Sequence, residues 1–248
     1  MTLKDEIVGS CLLCQGEGKL CNAAGELILC NCLVKFRAYN RLLGGGFCDE
    51  TLDFVSSDEY VYPKFESGED FVNYWANSPV DVLQKGLSLF MYSSEKGRGK
   101  TTLAHYLTYV LAKYFQRTEN YSRDRSYGFE TAQRLQMNFS AEDGQLWQSS
   151  VYVLDDLGAE AAESSWKKEA FLATLQQVLH YRRDNRLSTI ITTNYPPKFI
   201  AEKYQHTLDS LLEIRPDGVI GRGKVFRAVE VGGGEDLRLM DSRTDWPI

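Results

Sequence analysis

Eight residues constrain this chain more than any others. Ser94-Glu95-Lys96-Gly97-Arg98-Gly99-Lys100-Thr101 stand between an apolar run, Leu87–Tyr92 (LSLFMY), and a helical pattern over Lys100–Phe115. In that second segment Leu103, Tyr106, Leu107, Val110, Leu111 and Tyr114 recur at helical spacing. A glycine-rich turn from a buried strand into a helix aims its backbone N–H groups inward, and the helix N-terminus adds the positive end of its dipole. Gly97 and Gly99 permit the turn and the close approach of a phosphate. Lys100 is then placed to reach β- and γ-phosphates, the Thr101 hydroxyl to hold magnesium, and Thr102 to follow as a further nucleotide contact. Ser94 and Arg98 complete the loop. Ser94 stands where the pattern usually has its first glycine, a position that serine fills if its φ is negative. The loop predicts a bound nucleotide, ATP with Mg2+.

The rest of the chain supplies the sheet that such a loop requires. Val151–Leu154 (VYVL) and Ser188–Thr193 (STIITT) read as buried strands, Trp166–Asp184 as a helix with Phe171, Leu175, Val178 and Leu179 on one face, and Lys224–Val231 as a last strand. From Asp70 a helical pattern carries Phe71, Val72 and Trp75, breaks at Ser78-Pro79, and resumes with Val80 and Leu83. Residues 116–150 are polar and show no clear period. Strands alternating with helices predict an α/β fold with a central parallel sheet and helices on its faces.

Two sequence features extend the phosphate site. The VYVL strand runs straight into Asp155-Asp156, and two carboxylates at the end of a buried strand are costly unless a cation or hydrogen bonds meet them. In a P-loop protein the first supports magnesium and the second polarises the attacking water, with Glu160 as an alternative for that second role. STIITT ends at Asn194, a polar residue at the tip of a neighbouring strand, where it can reach the same water or the γ-phosphate.

Five of the six cysteines lie within the first 32 residues. Clustered cysteines outside an oxidising compartment read as a metal site. Cys11-x2-Cys14 followed by Gln15-Gly16-Glu17-Gly18 has the form of a knuckle, and Cys30-x-Cys32 supplies a second pair, so four thiolates can close a tetrahedral zinc site. Cys21 is an alternative ligand.

The net charge of −6 in 248 residues argues against a surface coated for nucleic acid. Such contacts are left to Arg182, Arg183 and Arg186, or to Lys35, Arg37 and Arg41, and each group reads more simply as a solvated helix face. No stretch approaches the roughly 20 apolar residues of a membrane span, and the opening MTLKDEIVGS lacks the layout of a signal peptide. A cytoplasmic protein is expected.

GRGKTTLA, VLDDLGAE and TIITTN, in this order, resemble the AAA+ ATPases of the DnaC/DnaI helicase-loader group and the related IstB transposition helpers. The likeness covers residues from roughly 85 to 238. It implies Asp155 and Asp156 as the acidic pair, Asn194 as sensor, and an arginine finger acting across a subunit interface. Gly221-Arg222 fits that finger best, with Arg215 and Arg227 as alternatives. A CxxCxGxG knuckle and a CxC pair ahead of the ATPase resemble the DnaI-like loaders, whereas IstB-type helpers usually begin with helices. The resemblance implies a replicative hexameric DNA helicase as partner, self-association through the ATPase domain, contact with single-stranded DNA, and slow, assembly-dependent hydrolysis. The other readings are an IstB-like helper and an interaction protein, such as a helicase inhibitor, that nucleotide orders without a hydrolysis cycle. The expected organisation is a zinc-knuckle, helicase-binding domain at 1–45, a linker at 46–66 opened by Gly44-Gly45-Gly46, and an AAA+ ATPase domain at 67–248.

Overall fold

The computed structural model describes residues 5–57, 60–117, 126–138, 146–160, 165–204 and 226–232. Its N-terminal part is a hairpin of β1 (Lys19–Cys21) and β2 (Leu27–Leu29), followed by helices α1 (Asn31–Gly44) and α2 (Asp49–Ser56). Cys14, Cys30 and Cys32 form a small core with Val8, against which Leu20, Leu33 and Phe36 pack. So few residues cannot cover the whole of α1. Its later turns therefore bury Ala38, Tyr39 and Leu42 in the same core as Leu103, Leu107 and Leu111.

That packing corrects the expected linker at 46–66. The carbonyl of Gly45 accepts the Phe129 N–H at 2.8 Å, and a Cβ on Gly45 would come within 2.0 Å of the Tyr127 carbonyl oxygen. The triglycine is thus a close-docked turn, not a free joint. Leu52 and Val55 of α2 are buried in the main core, and the Tyr39 hydroxyl donates to the Asp49 carboxylate at 2.7 Å. Composition concealed this because an acidic, aromatic helix with one apolar face looks like a polar connector when its partner lies far along the chain.

The next elements are β3 (Phe65–Ser67), α3 (Glu69–Asn77), α4 (Pro79–Lys85), β4 (Ser88–Tyr92) and α5 (Lys100–Arg117). After them come β5 (Tyr127–Thr131), α6 (Ala132–Asn138), β6 (Val151–Leu157), α7 (Ser165–Asp184), β7 (Ser188–Thr193), α8 (Pro197–Lys203) and β8 (Phe226–Val231). Strands β3 to β8 make one sheet in the order β3-β8-β4-β7-β6-β5. All neighbours are parallel except β3, which pairs antiparallel with β8 at the edge. The central strands β4, β6 and β7 are buried almost throughout because both faces are covered. Leu89, Met91, Val151, Val153 and Ile190 face the core that holds α1, α2, α3 and α5. Phe90, Tyr152, Leu154 and Ile191 face α6, α7 and α8. Among the described residues no helix is long and apolar enough to cross a membrane.

Strand β5 lies where the sequence showed no pattern. Gly128 and Glu130 break what would otherwise be a continuous apolar run, and both have long-range reasons to be there. A Cβ at Gly128 would sit 2.5 Å from the Leu146 carbonyl oxygen, and the buried Glu130 carboxylate accepts the Tyr152 hydroxyl at 3.0 Å. Arg182 also departs from expectation. It is buried, with its guanidinium donating to the Trp147 carbonyl at 2.5 Å, the Ser149 carbonyl at 2.8 Å, the Thr189 hydroxyl at 2.8 Å and the Ser188 carbonyl. It ties the starts of β6 and β7 together and is not available to nucleic acid.

Candidate nucleotide-binding site and metal centre

Strand β4 sits in the middle of the sheet and delivers the glycine-rich loop to its C-terminal edge. Gly97 and Gly99 both adopt a φ of 76°, which is costly for a residue with a Cβ. Ser94 keeps a negative φ, as a serine at that position requires. The Ser93 hydroxyl accepts the Glu95 N–H at 3.2 Å and steadies the entry to the turn. Lys100 is largely buried, and its ammonium donates to the Glu95 carbonyl at 3.3 Å. A phosphate oxygen can replace that weak acceptor with little reorganisation. Arg98 pairs with the Glu95 carboxylate. Thr101 and Thr102 occupy the first turn of α5.

Strand β7 lies between β4 and β6, so the acidic strand end stands one strand away from the loop. A regular strand would send Asp155 and Asp156 to opposite faces. The pairing slips here: Leu154 is opposite Ile191 while Leu157 is opposite Thr193, which leaves one extra residue on β6. Asp156 takes a φ of 56° within this bulge. Bulges of this kind re-aim side chains next to active sites. Both carboxylates engage the same edge as a result. Asp155 Oδ1 accepts the Thr101 hydroxyl at 2.8 Å and the Thr192 hydroxyl at 2.6 Å. Asp156 Oδ1 accepts the Asn194 side-chain amide at 2.7 Å, and its backbone N–H donates to the Thr192 hydroxyl at 2.9 Å. Burial raises the Asp155 pKa, while the Thr192 and Thr101 hydrogen bonds oppose that shift. A cation beside it would favour the ionised carboxylate.

The structure thus brings together Lys100, Thr101, Asp155, Asp156 and Asn194. Thr192 joins them without having been singled out. Its only sequence signal is that a hydroxyl-bearing, β-branched residue lies two places before Asn194, which strand propensity alone would explain. His105 is a second addition. Its Nδ1–H donates to the Thr101 carbonyl at 2.9 Å, and its Nε2 accepts the Cys48 N–H at 3.3 Å. Burial lowers its pKa to about 4, so the ring is a neutral bridge between the α1–α2 junction and the P-loop helix. Arg222 and Arg215 lie outside the described residues. Arg227 is paired in register with Leu89, near the start of β4, and its guanidinium lies 5.6 Å from the Phe71 ring centroid. That is the end of the strand remote from the phosphate loop.

Cys11, Cys14, Cys30 and Cys32 bring their four sulfur atoms within 4.8 Å of one another. The Cys11–Cys30 and Cys14–Cys32 separations are 3.8 and 3.4 Å. Tetrahedral zinc with Zn–S near 2.3 Å requires sulfur–sulfur edges of roughly 3.8 Å, so the set fits that ion. The Gly18 N–H donates to Cys14 Sγ at 3.2 Å, while Cys30 caps α1 and Cys32 lies in its first turn. Hydrogen bonding to backbone N–H groups, first of all that of Cys14, draws the Cys11 pKa down to about 7. Cys21 is exposed on β1 and is not part of the cluster.

Sheet order, loop and acidic edge define the class: a mostly parallel α/β fold like that of AAA+ domains, with a glycine-rich loop at the sheet edge and a four-cysteine cluster suited to zinc ahead of it. Two of the solved structures that match the chain share its fold. The DnaC helicase loader is 20% identical at a TM-score of 0.52, covering 75% of this chain and 100% of that one. DnaI is 18% identical at a TM-score of 0.52, covering 77% of this chain and 94% of that one. No protein-family model matches the chain, and no curated protein matches it.

Proposed function

We propose that this chain is an ATP-dependent loader or remodeller of a replicative DNA helicase. The observation that carries the reading is the bulge that turns both Asp155 and Asp156 toward the edge where Thr101, Thr192 and Asn194 bind them. A merely structural P-loop has no need to aim two adjacent carboxylates at one place. In this reading Ser94, Gly97, Arg98, Gly99, Lys100, Thr101 and Thr102 hold the triphosphate. Thr101 and Asp155 hold magnesium, which when bound neutralises charge on the phosphate oxygens. Asp156 accepts a hydrogen bond from the attacking water and so raises the electron density on its oxygen. Asn194 holds the Asp156 carboxylate in line and orients the same water. Arg222 of a neighbouring subunit completes the site, so turnover is slow until subunits assemble.

The fold shared with the DnaC helicase loader, together with the zinc-type cluster, supports the helicase as partner. The metal-held hairpin and knuckle are the part that would grip it. They expose Leu12, Leu13, Leu27 and Ile28, more apolar surface than a module of this size needs to leave bare. Self-association and contact with single-stranded DNA belong to the ATPase domain in this reading, and the protein works in the cytoplasm.

Asp156→Asn keeps the shape of the side chain and loses its charge. We expect turnover to fall about a hundredfold while the affinity for an ATP analogue stays within about twofold. Steady-state phosphate release and an analogue titration measure the two. Equal turnover in both proteins would remove Asp156 from the chemistry, and no turnover in the parent chain would favour the nucleotide-ordered interaction protein.

A further inference from the structure

The VLDDLGAE segment ends in a glutamate that neither phosphate binding nor water activation uses. We infer that Glu160 is a positioning residue that clamps the acidic loop to helix α8, and is not the general base. This rests on the hydrolysis reading above and deepens it.

A general base needs a lone pair facing the water that it deprotonates. Both oxygens of Glu160 are already engaged, and the residue is only 9% exposed. Oε2 accepts the Gly158 N–H at 2.9 Å. Oε1 accepts the Tyr204 hydroxyl at 2.7 Å and lies 2.9 Å from the Lys203 ammonium. That ammonium also donates to the Gly158 carbonyl. The Glu160–Lys203 pair therefore grips both backbone polar groups of Gly158, two residues beyond Asp156.

Gly158 leaves no other path for the loop. Its φ is 104°, and a Cβ there would meet the Tyr195 ring at 2.6 Å. Tyr195 directly follows Asn194, the residue bonded to Asp156. The Ala159 N–H closes the turn on the Asp156 carbonyl at 3.1 Å. The acidic loop is thus held from two sides, by Asn194 on Asp156 and by Glu160 on α8. The support behind the clamp is rigid: Ile200, Ala201 and Tyr204 are buried with Phe171 and Leu175 of α7. A shift of α8 would pass to Gly158 and so to Asp156.

Glu160→Gln and Glu160→Ala separate clamp from base. A Gln amide can keep its oxygen on the Tyr204 hydroxyl and the Lys203 ammonium, giving up only the Gly158 N–H, but it cannot take a proton from water. The Gln variant is expected to keep kcat within about threefold of the parent. The Ala variant is expected to lose about a hundredfold, as a misplacement near 1 Å would cause. ATP-analogue affinity should hold within about twofold in both. Tyr204→Phe, which removes one donor and preserves the ring, should lower kcat without changing affinity, and it decides the matter if the Ala variant does not fold. A Gln variant as inactive as the Ala variant would overturn the inference in favour of a base. Ala and Phe variants with parental kcat would overturn it altogether. A parent that binds ATP and releases no phosphate would refute the hydrolysis reading instead, a result distinct from either.

Discussion

Lys100→Ala is expected to weaken binding of a fluorescent ATP analogue about a hundredfold. In the structure this ammonium is turned into the loop, where it makes a long hydrogen bond to the Glu95 carbonyl at 3.3 Å. Bound phosphate would offer it charge-assisted partners, and hydrogen bonds to charged groups contribute roughly 1.5–3 kcal/mol each. Losing about 3 kcal/mol corresponds to about two decades in Kd. The fold should tolerate the change, because α5 is held by Leu103, Leu107, Leu111 and Phe115 in the main core. An unchanged melting temperature with lost affinity is the expected pair of results. Unchanged affinity would mean that the glycine-rich turn is not a phosphate site.

The second large effect concerns the metal. Elemental analysis of the whole chain should give one zinc per molecule, and Cys14→Ser or Cys32→Ser should remove it. The apparent binding free energy of a structural zinc is about 10–16 kcal/mol, far more than the small core around Val8 can supply. Stripping the ion should therefore unfold the knuckle and hairpin and fray the first turn of α1, which begins at Cys30 and Cys32. The later turns should persist, since Ala38, Tyr39 and Leu42 are anchored against α5. Hydrogen exchange should accordingly rise at residues 5–33 and stay slow from 38 onward, with ATP-analogue affinity little changed. A metal-free chain whose N-terminal amides remain protected would refute the zinc assignment.

Much of the candidate nucleotide site was legible because its demands are local. A loop that needs positive φ writes glycine into the sequence, and a helix following it writes an apolar period. The Val151–Leu154 run and STIITT were legible for a related reason: strands buried on both faces carry unbroken apolar or β-branched residues. What stayed hidden depends on partners far along the chain. The bulge at Asp155–Asp156 leaves no mark beyond the acids themselves, since aspartate tolerates left-handed backbone. Strand β5 was obscured by Gly128 and Glu130, whose reasons are Leu146 and Tyr152. The role of Glu160 depends on Lys203 and Tyr204, more than forty residues away. Arg182 was misread because an arginine between polar neighbours looks solvated until four acceptors converge on it. The N-terminal boundary failed for the same reason, because nothing in residues 31–56 announces that α5 lies beneath them.

Capture of a purified hexameric replicative helicase by the whole chain tests the central claim most directly. The measurement compares the parent with Lys100→Ala and with zinc-stripped protein, in ATP and Mg2+, with a transposase as the competing bait. The account predicts that the parent retains the helicase and not the transposase. The zinc-stripped chain should lose the helicase, and Lys100→Ala should retain it without responding to ATP. Retention of the transposase, or of neither protein in any nucleotide state, would contradict the assignment as a helicase loader.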